Sequence, residues 1–388
     1  MQMIPYGRQD ISQADIDAVI EILRSDWLTQ GPMVPRFEQA IANYVGAHYA
    51  VATNSATSAL HIACLALDLG PGDWLWTSPN TFVASANAGL YCGARVDFVD
   101  IDPRTYNISV ERLAEKLEQA KIKNQLPKIV IPVHFSGQSC DMAAIHALAQ
   151  QYQFRIIEDA SHAIGGKYCN EFVGSGRYSD ITVFSFHPVK IITTGEGGMA
   201  ITNDTELAER MMRYRSHGIT SKKELMQARP AEEIWNYQQL DLGYNYRMTD
   251  IQAAMGISQL ARLEEFLKRR HEIAHCYHEA FAQLPIILPW QQPDVVSSYH
   301  LFQIRVRERE CGKNQQQVYN DLLQAGIGVN LHYIPVYRQP FYERIGFKTG
   351  YCPEAELHHQ EAISIPIYVA LTDDAQRFVI NEVTRVLK

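Results

Sequence analysis

Residues 180–198 read DITVFSFHPVKIITTGEGG. The opening DITVFSF is rich in β-branched and aromatic residues, which predicts a buried strand. Lys190 follows, then Thr193 and Thr194, then Gly195, Glu196, Gly197 and Gly198. Most lysines are solvated surface side chains. One at the end of a buried strand, against a Gly-rich turn, is badly placed for that. Burial there disfavours the ammonium form, and a neutral amine can attack a carbonyl and form a Schiff base.

Three other segments supply what such a lysine needs. EDASHAIG, residues 158–165, follows the apolar run QFRIIE, so Asp159 falls at the carboxyl end of a strand, where open α/β sheets bind ligands. A carboxylate there can pair with a protonated pyridine nitrogen and keep the ring electron-withdrawing. Taken alone, Asp159 reads equally well as a helix N-cap. Glu158 competes with it, and spacing does not choose between the two. His162 lies in the same turn, within reach of a ring oxygen. TNSATSALHIACLAL, residues 53–67, is a small-residue turn opening an amphipathic run. Backbone N–H groups at Ala56, Thr57 and Ser58 suit a phosphate dianion at a helix N-terminus. In TSPNTFVASANA, residues 77–88, Phe82 could stack on a flat heteroaromatic ring or fill the core. Amine, carboxylate, phosphate turn and aromatic plate together fit pyridoxal phosphate.

Around these motifs, strand-like runs (YAVAT, WLWTS, RVDFVD, KIVIPV, FRIIE, ITVFSF, GMAIT) alternate with helical patterns such as DMAAIHALAQQY. That alternation predicts an α/β fold with a mostly parallel, covered sheet. Ser12 suits the N-cap of a first helix. Residues 249–284 form a long helix or helix pair, punctuated at its end by Pro285, Pro289 and Pro293. The division expected is a large domain with an N-terminal arm over residues 1–250. Residues 251–388 then hold the connecting helix and a smaller α+β domain.

The ordered set NSATSAL, TSPNTFVAS, EDASHA, FSFHPVKIITTGEGG, GYNYRMTDIQAA and HYIPVY resembles the DegT/DnrJ family of sugar aminotransferases. The resemblance runs from about residue 4 to the C-terminus. Within the family, PYGRQDI and SDWLTQGP are most similar to the branch that serves pseudaminic acid synthesis. The resemblance implies a fold-type I, aspartate aminotransferase-like enzyme that uses pyridoxal 5′-phosphate. Glutamate would donate the amino group to carbon 4 of a UDP-linked 4-keto-6-deoxy-N-acetylhexosamine. Lys190 would hold the cofactor covalently, Asp159 would meet its ring nitrogen and His162 its ring hydroxyl side, and Phe82 would stack on it. Ala56, Thr57 and Ser185 would bind its phosphate, with Asn245 reaching across from the partner of a homodimer with shared sites. Tyr6, Thr29, His332 and Tyr333 would line the nucleotide-sugar site. Some relatives carry His at the lysine position and dehydrate their substrate; this chain has Lys190. Arg8, Arg215 and Arg247 all remain open as anchors for the donor carboxylate. Two other readings stay open: a transaminase for another nucleotide-linked keto sugar, and a non-catalytic cofactor-binding regulator.

Composition narrows the class further. The 388 residues carry a formal net charge of −8, and no Lys/Arg stripe points to nucleic acid. KRRHE, residues 268–272, is short and sits on a helical pattern, as a solvated face would. No apolar run of about 18 residues would span a membrane. The opening MQMIPYG lacks the charged-then-apolar start of a secretory signal. Seven cysteines without a C-x-x-C pair fit a reduced cytoplasmic protein rather than a disulfide framework or a zinc site. The histidines show no metal-binding spacing, so no metal is expected.

Overall fold

Each of the seven apolar runs becomes a strand of one sheet. They are β1 (Tyr49–Thr53), β2 (Trp74–Thr77), β3 (Arg95–Phe98), β4 (Ile129–Ile131), β5 (Arg155–Asp159), β6 (Ile181–Ser185) and β7 (Gly198–Thr202), ordered β1-β7-β6-β5-β4-β2-β3. The computed structural model describes residues 3–230, 233 and 236–388. Met1 and Gln2, which open the N-terminal arm, lie outside the described residues. All pairings from β3 through to β6 are parallel, and β7 runs antiparallel to both β6 and β1. This is the mostly parallel α/β sheet expected. The reversal has a consequence for the site. Adjacent antiparallel strands need no crossover helix. The β6–β7 connection therefore stays at the carboxyl end of β6 and keeps Lys190 there.

Alternation along each strand sends neighbours to opposite faces. Leu75, Ile129 and Ile157 enter one core, while Trp76, Val130 and Ile156 enter another. Helices α1 (Gln13–Leu23) and α2 (Met33–Val45) precede the sheet. Helices α3 (Ala56–Ala66) and α4 (Ala84–Tyr91) help build the first core. Helices α5 (Val110–Lys123) and α6 (Met142–Tyr152) build the second, and α7 (Thr205–Arg215) returns to the first. Ser12 caps α1 in a capping box with Asp15, as its position suggested.

The 249–284 pattern resolves into two helices. Helix α8 (Asp250–Leu260) starts with a Thr249–Gln252 capping box. Helix α9 (Leu263–Phe281) is shared between two cores. Its Leu263, Phe266 and Leu267 pack with Phe37, Phe184 and Met248. Its Ile273, Ala274, Tyr277 and Phe281 pack in the C-terminal core. Fully burying one such large apolar side chain stabilises by about 1.5–3 kcal/mol, so α9 ties the two cores strongly. The C-terminal core covers an antiparallel sheet of β8 (Ile286–Ile287), β9 (Phe302–Val306) and β10 (Ala362–Ile365). Helices α10 (Gln315–Gln324) and α11 (Asp373–Leu387) supply Val318, Leu322, Val379 and Val383 to it. Val336, Tyr337, Tyr342 and Cys352 instead pack back into the first core of the large sheet. Among the described residues, no helix is long and apolar enough to cross a membrane.

Candidate active site

The carboxyl ends of β5 and β6 and the first turn of α3 open onto one cavity of about 860 Å³. Lys190, Asp159, His162, Phe82 and Ser185 line it, as do Ala56 and Thr57. Tyr6, His332 and Tyr333 close it from the N-terminal arm and the C-terminal region.

Lys190 sits in the β6–β7 loop, which is pinned from several sides. Thr193 Oγ1 and the Thr194 N–H donate to the Phe186 carbonyl at 2.9 and 3.0 Å. Gln252 Nε2, at the start of α8, donates to the Glu196 carbonyl at 2.8 Å. Gly195 turns the chain with φ +81, a left-handed conformation that glycine adopts without strain. Burial lowers the Lys190 amine from its ordinary value to about 8, with the nearby Asp159 charge pulling the other way. Near neutral pH a useful fraction of the amine is therefore free to act as nucleophile or base.

The two adjacent carboxylates of β5 separate onto opposite sides. Glu158 is buried beneath the sheet, where it accepts from His134 Nε2 at 2.6 Å, from Thr182 Oγ1 at 3.0 Å and from Ser179 Oγ. Burial alone would raise its carboxyl, but these donors bring it below the usual value. Asp159 faces the cavity. Its Oδ2 accepts from Ser85 Oγ at 2.6 Å and its Oδ1 from the Ser161 N–H at 3.1 Å. The ambiguity between the two carboxylates thus resolves by strand alternation. Asp159 also is not the N-cap of a helix: a turn, not a helix, follows β5.

The α3 turn is organised to leave donors free. Ser55 caps the helix by accepting from the Ser58 N–H at 3.1 Å, and Ser58 Oγ donates to Asn54 Oδ1 at 2.6 Å. Ser58 is therefore committed to the turn itself. The Ala56 and Thr57 N–H groups belong to the first turn and lack an intrahelical acceptor. Gly198 of β7 runs directly beneath them: a Cβ there would meet Ala56 N at 2.5 Å and Ser55 O at 2.6 Å. Phe82 is 60% exposed, so it is no core aromatic. It stands at the cavity as a bare plate.

Three histidines surround the lysine. Burial first, then the Lys190 charge, pushes His162 far down and His332 to about 3, and burial, then His162 and Lys190, pushes His300 far down. All three are neutral at physiological pH. His162 Nδ1 accepts from the Ser136 N–H at 3.3 Å, which leaves its proton on Nε2, 3.3 Å from Tyr333 Oη. The histidines therefore offer the cavity neutral hydrogen-bonding groups beside the Lys190 amine.

Thr29 and Asn245 do not reach this cavity within one chain. Thr29 is exposed and pairs through its backbone with Thr249. Asn245 is exposed, and its carbonyl accepts from Asn54 Nδ2 at 3.5 Å beside the α3 turn. Of the three arginines considered for the donor carboxylate, Arg215 is committed to Glu38 and to the Ala52 carbonyl, and none lines the cavity. Sequence reading missed Ser85, His300 and Asn330. Ser85 closes the TSPNTFVAS motif, but a serine among small residues there carries no signature of its own, and His300 and Asn330 lie outside the quoted motifs.

These groups fit pyridoxal phosphate: a depressed lysine, a buried carboxylate facing it, two free N–H groups in a glycine-floored turn, and an exposed aromatic plate. No cluster of three or more metal-ligating side chains occurs among the described residues. The chain is 39% identical to the spore coat polysaccharide biosynthesis protein SpsC of Bacillus subtilis, covering 99% of this chain and 97% of that one. It is 38% identical to the UDP-4-amino-4,6-dideoxy-N-acetyl-beta-L-altrosamine transaminase of Campylobacter jejuni, over 100% of this chain and 98% of that one. The solved structure of Helicobacter pylori PseC, an aminotransferase involved in the biosynthesis of pseudoaminic acid, superposes with a TM-score of 0.88 at 29% identity, covering 100% and 99% of the two chains. The match to the DegT/DnrJ/EryC1/StrS aminotransferase family spans residues 9–384, and the chain belongs to that family.

Proposed function

We propose that the protein uses pyridoxal 5′-phosphate to move the amino group of glutamate to carbon 4 of a UDP-linked 4-keto-6-deoxy-N-acetylhexosamine. The products are 2-oxoglutarate and UDP-4-amino-4,6-dideoxy-N-acetyl-beta-L-altrosamine, a step toward pseudaminic acid. The observation that carries the reading is Lys190, its amine depressed by burial and facing Asp159 across the cavity. The acceptor is supported by the likeness to the Campylobacter transaminase and to Helicobacter PseC. A second reading, another nucleotide-linked keto sugar, stays open because the likeness to SpsC, a protein of spore coat polysaccharide biosynthesis, is comparable. An assay with glutamate and a panel of UDP-, dTDP- and GDP-linked 4-keto sugars separates the two.

When bound, the cofactor supplies an aldehyde that exchanges with an amino group and a ring that accepts electrons from the reacting carbon. The Ala56 and Thr57 N–H groups and Ser185 would hold its phosphate. Phe82 would cover one ring face, Asp159 would keep the ring nitrogen charged, and His162 would donate from Nε2 to the ring oxygen. Lys190 Nζ would take a proton from the donor's α-carbon and deliver it to the cofactor's aldehyde-derived carbon, and for the acceptor would carry a proton the opposite way, onto carbon 4 of the sugar. Tyr6, His332 and Tyr333 would orient the acceptor.

The lowered lysine has a testable pH signature. In cofactor-free protein, only the neutral amine captures added pyridoxal phosphate, so the rate of colour formation should rise with pH and reach half its maximum near 8. Stopped-flow absorbance measures it. A midpoint near the ordinary lysine value would show that Lys190 is not desolvated.

The active assembly in this reading is a cytoplasmic homodimer with shared sites. Asn245 lies outside its own cavity yet beside the phosphate turn, and Phe82 and Leu242 leave large apolar surface exposed. An amide donating to a phosphate oxygen makes a charge-assisted hydrogen bond, so Asn245→Ala should weaken cofactor retention by about one to two powers of ten. Mixing Lys190→Ala subunits with Asn245→Phe subunits should restore part of the activity, because one site in the mixed dimer is wild type at both positions. No recovery despite verified subunit exchange would confine Asn245 to its own chain.

A further inference from the structure

Behind Asp159 lies a short hydroxyl chain that sequence motifs do not reveal. Ser85 is fully buried in the first turn of α4, and its Oγ is 2.6 Å from Asp159 Oδ2. Thr81 Oγ1 is 2.7 Å from the same Ser85 oxygen, and Thr81 itself lines the cavity. Counting protons fixes the direction. An ionised carboxylate only accepts, and a serine hydroxyl has one proton to give. The other acceptor in reach of Ser85, the Phe82 carbonyl, is at 3.4 Å and neutral. The shorter, charge-assisted contact wins. With the Ser85 proton on Asp159, the Thr81 proton is the one shared between the two hydroxyls. Both dipoles therefore point at the carboxylate.

We propose that Ser85, backed by Thr81, is a positioning residue for the cofactor's ring nitrogen: the Thr81→Ser85→Asp159 hydroxyl chain fixes the carboxylate and holds its negative charge toward the ring. This rests on the reading of the cavity as a pyridoxal phosphate site. One Asp159 oxygen is then set by Ser85 and the other by the Ser161 N–H, so the carboxylate cannot rotate freely. Phe82 lies within the same short segment. The start of α4 thus sets both the plate over the ring and the charge at its edge.

The chain predicts a spectroscopic effect that a packing role would not produce. Without the Ser85 hydroxyl, the proton shared by ring nitrogen and Asp159 moves toward the carboxylate. The ring then draws electrons less, and the lysine-linked nitrogen becomes more basic. In Ser85→Ala loaded with pyridoxal phosphate, the midpoint of the cofactor's absorbance–pH curve should rise by about half a unit or more, and cofactor retention should fall about tenfold. Thr81→Val should shift the midpoint the same way by less, and Ser85→Cys, a weak donor, should fall between Ser85→Ala and wild type. In an Asp159→Asn background, Ser85→Ala should add no further shift, since the anion it serves is gone. Unchanged midpoints in Ser85→Ala and Thr81→Val, with wild type coloured and titrating, would overturn the inference. An equal shift in the Asp159→Asn background would overturn it too. A wild type that takes up no pyridoxal phosphate would instead defeat the underlying reading of the site.

Discussion

Lys190→Ala should lower turnover by at least about four powers of ten, because in the proposed reaction the same amine would serve as covalent anchor and proton carrier. The fold should survive. The lysine lies in a loop whose hydrogen bonds are made by Thr193, Thr194 and Gln252 rather than by its own side chain. Pyridoxal phosphate should still bind non-covalently through the α3 turn, with an altered absorbance. Borohydride reduction of the wild-type holoenzyme, followed by peptide mapping, should place the label on Lys190. A label on another lysine would remove the basis of the site. Lys190→Arg should be equally inactive, since a guanidinium stays protonated and cannot act as nucleophile or base.

Asp159→Asn should have the second largest effect. A buried ion pair broken on one side costs about 3–5 kcal/mol. If most of that enters the barrier, both half-reactions slow by about two to three powers of ten. Glu158→Gln should behave differently, because Glu158 points away from the cavity into a network with His134, Ser179 and Thr182. Its substitution should lower thermal stability while single-turnover rates change little. Stopped-flow measurement of each half-reaction, beside a thermal melt, separates the two. The reverse order would mean that the other carboxylate faces the ring.

This pair shows where sequence reading stops. Both acids sit at the end of one strand, and period-two alternation guarantees that they diverge. Which of them faces the ligand depends on which side the helices pack, a tertiary fact. The seven strands of the large sheet were legible because each is an apolar run bounded by turn residues. The chain's two-residue strands, such as Lys167–Tyr168 paired with Val295–Val296, carry too little pattern to be seen. The return of Val336, Tyr337 and Tyr342 to the large core was equally invisible, since an apolar residue does not say which core it joins.

The site was legible where chemistry imposes unusual placement. A lysine after a buried strand and a small-residue turn before a helix are conspicuous. Phe82 was ambiguous because an aromatic suits a core as well as a ligand; its exposure at the cavity removes the core reading. Ser85 was hidden in ASANA, a stretch of small residues that looks like simple helix packing. Thr29 and Asn245 came only from family likeness, and in the single chain both lie on exposed segments outside the cavity.

The most direct test follows the bound cofactor through both halves of the reaction. Purified protein loaded with pyridoxal phosphate is mixed with glutamate, and then with the UDP-linked 4-keto-6-deoxy-N-acetylhexosamine. The expected result is loss of the aldehyde-form absorbance with glutamate and its return with the keto sugar, one amino sugar being formed per cofactor recovered. Absorbance that glutamate leaves unchanged would contradict an aminotransferase and favour a cofactor-binding regulator. Conversion by glutamate that the UDP sugar fails to reverse, while another nucleotide-linked keto sugar succeeds, would contradict the proposed acceptor.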